Sequence, residues 1–173
     1  MSSIRLDVKT AFPAGMAELA ALRLMNAARV SVSQLLSTGG LVIKAGSSAI
    51  VKAGTAFTAI ANSKLLVKTA NTDMAALAGT VTNAAFNVFC FFVDNAGTLT
   101  TKMGTEAATL AAVKFPDFDP GLACIGFIVV NPTGTGDFVG GTTALDDGTV
   151  VPNVSYVNTP YPFLPKFGVT LEN

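Results

Sequence analysis

The chain has no histidine and no tryptophan, and only 13% of its 173 residues are charged, against about 25% in an average soluble domain. Without histidine the commonest general base, the usual zinc ligand and every Ser–His or Cys–His nucleophile pair are missing. Most hydrolase and zinc-enzyme readings end there. Lys and Arg together equal Asp and Glu at 11 each, and the basic residues occur singly. Nucleic-acid binding requires clustered positive charge, so no nucleic-acid partner is expected. Arg23 and Arg29 interrupt the most apolar early stretch, which leaves no uncharged run near the 18 or so residues that cross a bilayer. No membrane partner is expected either. Residues 1–10 mix charged and apolar side chains and lack the apolar core of a signal peptide, so synthesis and use without secretion are expected. The two cysteines, Cys90 and Cys124, fall inside apolar runs and show no C-x-x-C or metal spacing. They read as buried reduced thiols, with a disulfide open if the two runs pair.

Half of the residues are apolar, and twelve are Phe. Two strand-length runs stand out: 86–93, Phe-Asn-Val-Phe-Cys-Phe-Phe-Val, and 123–130, Ala-Cys-Ile-Gly-Phe-Ile-Val-Val. Neither alternates. Successive strand side chains point to opposite faces, so Val88, Cys90 and Phe92 line one face and Phe89, Phe91 and Val93 the other. Antiparallel sheets of small proteins usually leave one face wet. The expected cover is another subunit, with Phe89, Phe91 and Val93 as interface candidates.

Around these runs the pattern organises the chain into three parts. Residues 1–40 read as an extended arm followed by one α-helix over 16–37, built from good helix formers and stopped at Thr38-Gly39-Gly40. Leu22, Met25, Val32 and Leu36 fall near one stripe with Leu19 beside it, although Arg29 intrudes; these apolar positions are further interface candidates. Residues 41–150 read as a β domain. Short strands are predicted over 41–44, 49–52, 57–61 and 65–68, then the first apolar run, the clearest hairpin at Asp94-Asn95-Ala96-Gly97, and a strand over 98–102. A short helix is predicted over 106–113, a rigid connector over 115–121, and loop over 131–148. Residues 151–173 carry Pro152, Pro160, Pro162 and Pro165, which preclude a long helix or a central strand. An extended tail lying on a neighbour is expected, with Tyr156, Tyr161 and Phe163 as interface anchors. The fold class is therefore mainly β with one N-terminal helix (α+β), a compact antiparallel β-sandwich or barrel-like domain with extended N- and C-terminal arms.

Few residues invite a chemistry. Asp117 and Asp119 flank Phe118, and Asp146-Asp147 form a pair, but calcium loops supply five or more oxygens at regular spacing with a distal Glu. These are read as turn aspartates. Gly134-Thr-Gly-Asp-Phe-Val-Gly140-Gly141 has the wrong spacing for G-x-G-x-x-G and no following helix, so it reads as a hairpin tip. Ser47-Ser48 has no G-x-S-x-G context and no activating base. No catalytic residue, cofactor site or metal site is expected, and the chain reads as a non-enzyme.

The stretch Ile128-Val-Val-Asn-Pro-Thr-Gly-Thr-Gly-Asp-Phe-Val-Gly-Gly-Thr-Thr-Ala-Leu-Asp-Asp147, with the hairpin Phe92-Val-Asp-Asn-Ala-Gly-Thr-Leu-Thr100, resembles small structural proteins of tailed-phage virions. The words that carry it are the apolar strand, the Gly/Thr turn, the Thr-Thr-Ala-Leu-Asp exit and the Asn-Ala-Gly-Thr hairpin, and it covers roughly residues 84–160. The resemblance implies a virion component made in the host cytoplasm: a capsid decoration or cement protein on the outer shell of a double-stranded DNA phage head. Such a protein is expected to be a homotrimer whose partner is the major capsid protein. A tail-fibre, head-fibre or baseplate module for host attachment is the alternative, in which case the Gly/Thr tips around 131–148 would be wet.

Overall fold

The computed structural model describes residues 33–159. These residues contain twelve strands: β1 Gln34–Leu35, β2 Leu41–Ile43, β3 Val51–Ala53, β4 Phe57–Ala61, β5 Lys64–Lys68, β6 Thr72–Asp73, β7 Thr80–Val81, β8 Asn87–Val93, β9 Leu99–Met103, β10 Ala123–Asn131, β11 Phe138–Val139 and β12 Asn153–Asn158. Every pairing among them is antiparallel. They form a four-stranded sheet in the order β12-β10-β8-β9, two three-stranded sheets, β1-β4-β5 and β2-β3-β6, and the ribbon β11-β7. Among the described residues no sheet closes into a barrel.

The four-stranded sheet lies at the centre because β8 and β10 are apolar on both faces. All seven residues of β8 are buried, and so are eight of the nine in β10. One face contributes Phe89, Phe91, Val93, Ile125, Ile128 and Val130 to the main core, where Leu35, Leu41, Val51, Ala53, Phe57, Ala59 and Ala61 of the smaller sheets meet them. The other face presents Val88, Cys90, Phe92, Cys124 and Phe127, which Val113, Phe115, Phe118 and Leu122 cover. Edge-to-face rings lock this second layer, with centroids 4.8 Å apart for Phe92 and Phe118 and 4.9 Å for Phe115 and Phe127.

The two-faced strands therefore need no second chain. The division of β8 into two faces is as its period-2 pattern predicts, but the cover comes from the same chain: the β1–β4 region on one side and the 113–122 connector on the other. Its 115–121 portion had read only as a rigid link. Its Phe115, Phe118 and Leu122 are the apolar side of a lid.

A β-bulge interrupts the β8–β10 register between Cys124 and Gly126. Through it Ala123 and Ile125 face the main core; after it Ile128 and Val130 do. One extra residue thus resets the alternation. The extra residue is Ile125, and Gly126 follows it with φ of 155°; a Cβ on Gly126 would lie 2.5 Å from the Val157 carbonyl oxygen and 2.7 Å from Leu41 Cδ1.

The predicted helix over 16–37 is not supported where the structure describes it. Gln34 and Leu35 are a strand paired with Ile60 and Ala59; the rest of that prediction, 16–32, lies outside the described residues. Tertiary pairing overrides helix propensity here, because Leu35 enters the main core at 1% exposure. The helix predicted over 106–113 contracts to one 3₁₀ turn at Leu110–Ala112. The β body also begins before residue 41 and runs past residue 150. Asn153–Asn158 pairs with β10 along six residues, so this part of the tail is a strand of its own sheet. It sits at the sheet edge, where a preceding Pro152 is tolerated.

The 94–98 hairpin closes as its turn residues require. Asp94 Oδ1 accepts the N–H groups of Ala96 and Thr98, both at 2.8 Å, and these bonds hold its carboxyl below the ordinary carboxylate range.

Candidate functional site

The remaining large exposed apolar side chains gather mainly on one surface. Strand β4 alternates, sending Phe57, Ala59 and Ala61 into the core and Thr58 and Ile60 outward. Strand β5 pairs with it so that Leu65 stands opposite Ile60 and Val67 opposite Thr58, while Leu66 stands opposite the inward Ala59. Cross-strand partners share a face, so Leu65 and Val67 project outward beside Ile60. Their exposures are 61% and 70%. On the other flank of β4, the Leu36 N–H donates to the Thr58 carbonyl at 2.8 Å, and Leu36 is 45% exposed. The outer face of sheet β1-β4-β5 thus carries Leu36, Ile60, Leu65 and Val67 around Thr58, with the polar Gln34 opposite Ile60.

This face had no place in the sequence reading, although its signal was present. Lys64-Leu-Leu-Val-Lys68 puts three apolar residues in a row, and in a strand one of its two faces must then carry two of them. The logic that separated the faces of β8 applies equally here. What it lacks is which face the body covers.

The other candidates divide cleanly. Phe89, Phe91 and Val93 are at 0% exposure, so as interface residues they are corrected: they are core, because the chain supplies its own cover. Leu36 lies on the exposed face just described. Tyr156 on β12 packs against the main core, with its phenol pushed up by burial and by the Asp146 charge. Leu19, Leu22, Met25, Val32, Tyr161 and Phe163 lie outside the described residues.

The polar candidates act as turn and loop supports. Both carboxylate oxygens of Asp146 accept the Ser47 N–H, at 3.0 and 2.9 Å, and so tie the β2–β3 turn to the 141–150 loop. Asp147 accepts from Thr149 at 2.9 Å. Asp119 pairs with Lys102 at 2.8 Å, and the same ammonium donates to the Asp117 carbonyl. The Gly134–Gly141 segment is anchored at both ends of its turn: Gly134 and Thr135 donate to the Val150 and Thr149 carbonyls, and Phe138 is fully buried against Phe89. Among the described residues no three Cys, Asp or Glu side chains come together as a metal site, and no helix is long and apolar enough to cross a membrane.

Compared with known proteins, the chain matches no family model, no curated protein and no solved structure.

Cys90 and Cys124 are free and buried. Burial pushes the Cys124 thiol up to about 12 and the Cys90 thiol well above its ordinary value, with Cys124 adding to the latter. Thiols that stay protonated are poor nucleophiles. They belong to the second core layer with Phe92 and Phe127.

Proposed function

We propose that the chain is a structural virion protein, a capsid decoration or cement protein that binds the outer shell of a tailed double-stranded DNA phage head. The observation that carries this reading is a coincidence of boundaries. The residues that resemble small virion proteins, roughly 84–160, contain β8, β9, β10, β11 and β12, which is the whole four-stranded sheet together with the connector that covers its second face. The span thus takes in this sheet and the cover of its second face, while the cover of its first face comes from β1–β4 outside the span.

Such a protein needs a stiff body, and β8 and β10 packed on both faces supply one. It works by burying apolar area at about 25 cal/mol per Å², less the cost of association, and by repeating that contact over many symmetric copies. Phe138 and Leu145 hold the 131–148 segment to the body at 0% and 3% exposure, while its Gly/Thr tips at Thr133, Thr135, Gly136, Gly141 and Thr142 are exposed, as a host-attachment module would also present them. In the cement reading the chain is a homotrimer on the major capsid protein.

The test is sedimentation of the purified full chain, alone and mixed with empty shells of the capsid protein encoded alongside it. The reading predicts a discrete trimer that co-sediments with shells. A chain that remains in the supernatant overturns it.

A further inference from the structure

We propose that the open edge of β5 is a docking site for an extended, acid-flanked segment of a partner protein. The segment adds to sheet β1-β4-β5 as an antiparallel fourth strand with the pattern acidic, apolar, any, apolar, acidic. This goes beyond the virion reading and stands without it.

The backbone supplies half of the site. Strand β5 is last in its sheet, and Asn62 and Ser63 join it to β4 with φ of 46° and 66°. Two linking residues at positive φ make the tight hairpin whose flanking pair, here Ala61 and Lys64, exchanges hydrogen bonds. Antiparallel pairs alternate between bonded and unbonded, so Leu66 and Lys68 also bond to β4, while Leu65 and Val67 turn their N–H and C=O groups away from it. Among the described residues no strand lies beyond them to take these groups up. Such a row is a template for another strand. The side chains supply the other half. On the outer face Leu65 and Val67 are 61% and 70% exposed, the highest values among the large apolar side chains described, and a strand beside them extends the apolar stripe that starts at Ile60. On the opposite face, either side of Leu66, stand Lys64 and Lys68. Neither forms an ion pair among the described residues.

Charge selects the occupant. A second copy paired about Leu66 would set Lys64 opposite Lys68 at both ends, and like charges so placed repel. Edge lysines are a common device against self-pairing. The same two ammoniums attract a strand that carries carboxylates opposite them, so what rejects a copy selects an acidic partner. Size agrees. Five strand residues span about 17 Å, far short of a subunit face of about 800 Å² per partner, but enough for a peptide that binds by strand addition. The outward N–H and C=O groups favour such a peptide over a lipid surface, which could meet Leu65 and Val67 but offers no ladder.

The experiment uses the isotope-labelled full chain and two end-capped synthetic peptides, Ser-Glu-Val-Thr-Val-Glu-Ser and Ser-Lys-Val-Thr-Val-Lys-Ser, titrated at low ionic strength and followed by amide shifts and hydrogen exchange. The acidic peptide is expected to shift and protect the Leu65 and Val67 amides saturably. It should bind about tenfold more tightly than the basic one, because two opposite-charge pairs replace two like ones. Lys64→Glu combined with Lys68→Glu should invert that order, with Cys90 and Cys124, buried in the native chain, staying unreactive as the check on folding. If that variant does not fold, Lys64→Gln with Lys68→Gln takes its place and should abolish the preference. Equal binding of the two peptides, or no response at Leu65 and Val67, overturns the assignment. Protection of those two amides in the free chain also overturns it: at every concentration this means that the chain covers its own edge, and only at high concentration that a second copy does.

Discussion

At the residue scale, the informative groups are those that the fold holds neutral. Cys90 and Cys124 sit at 0% and 5% exposure between Phe92, Phe115 and Phe127, and their thiols are pushed up, that of Cys124 to about 12. An unfolded thiol ionises near pH 8.5. Above that value the unfolded chain loses protons that the folded chain keeps, so folding stability declines as pH rises from there toward about 12 for Cys124. The slope from each thiol approaches about 1.4 kcal/mol per pH unit. Urea unfolding across the alkaline range should show this decline, and Cys124→Ala should reduce its slope. An unchanged slope in that variant would place the titrating group elsewhere. Both cysteines read correctly as buried thiols from their apolar neighbours alone.

At the element scale, the outcome differed from strand to strand for physical reasons. Strand β8 was legible because seven consecutive residues suited to burial leave no other reading, and its two faces separate by period 2. Strand β10 was legible in extent but not in phase. The bulge at Ile125, just before Gly126, moves Ile128 and Val130 onto the face that Ile125 occupies, and one glycine in an apolar run does not announce a bulge. Gly126→Ala should lower stability by about 2–4 kcal/mol, since the new methyl meets the Val157 backbone and the positive φ is strained for alanine. Denaturant titration checks this, and a loss below about 0.5 kcal/mol, the range of an ordinary surface change, would contradict the bulge. Strand β1 was missed altogether. Gln34 and Leu35 follow a stretch of helix formers, and only the partners Ile60 and Ala59, some 25 residues on, make them a strand. Non-local pairing of so short a strand leaves almost no trace in local composition.

At the scale of the whole molecule, the structure changes what the apolar excess means. Low charge and strands without alternation suggested cover by another subunit. The chain instead covers its central sheet on both sides, using four strands of the smaller sheets for one face and the 113–122 connector for the other. The connector was legible as rigid from its prolines, but not as a lid, because Phe115, Phe118 and Leu122 show their role only when the chain folds back over Phe92 and Phe127. What remains for contacts is a smaller, different surface, the outer face of β1-β4-β5. A reading of assembly must therefore rest on surfaces such as that face and not on β8.

The central claim is that one chain suffices to bury both faces of β8 and β10. Its most direct test is the rate at which a thiol reagent labels Cys90 and Cys124 in the native full chain over a dilution series, with the mass in solution followed in parallel. The account predicts that both thiols stay protected at every concentration, including those at which the protein is monomeric. Protection that disappears on dilution to the monomer would contradict it, and would return the cover of β8 to a neighbouring subunit.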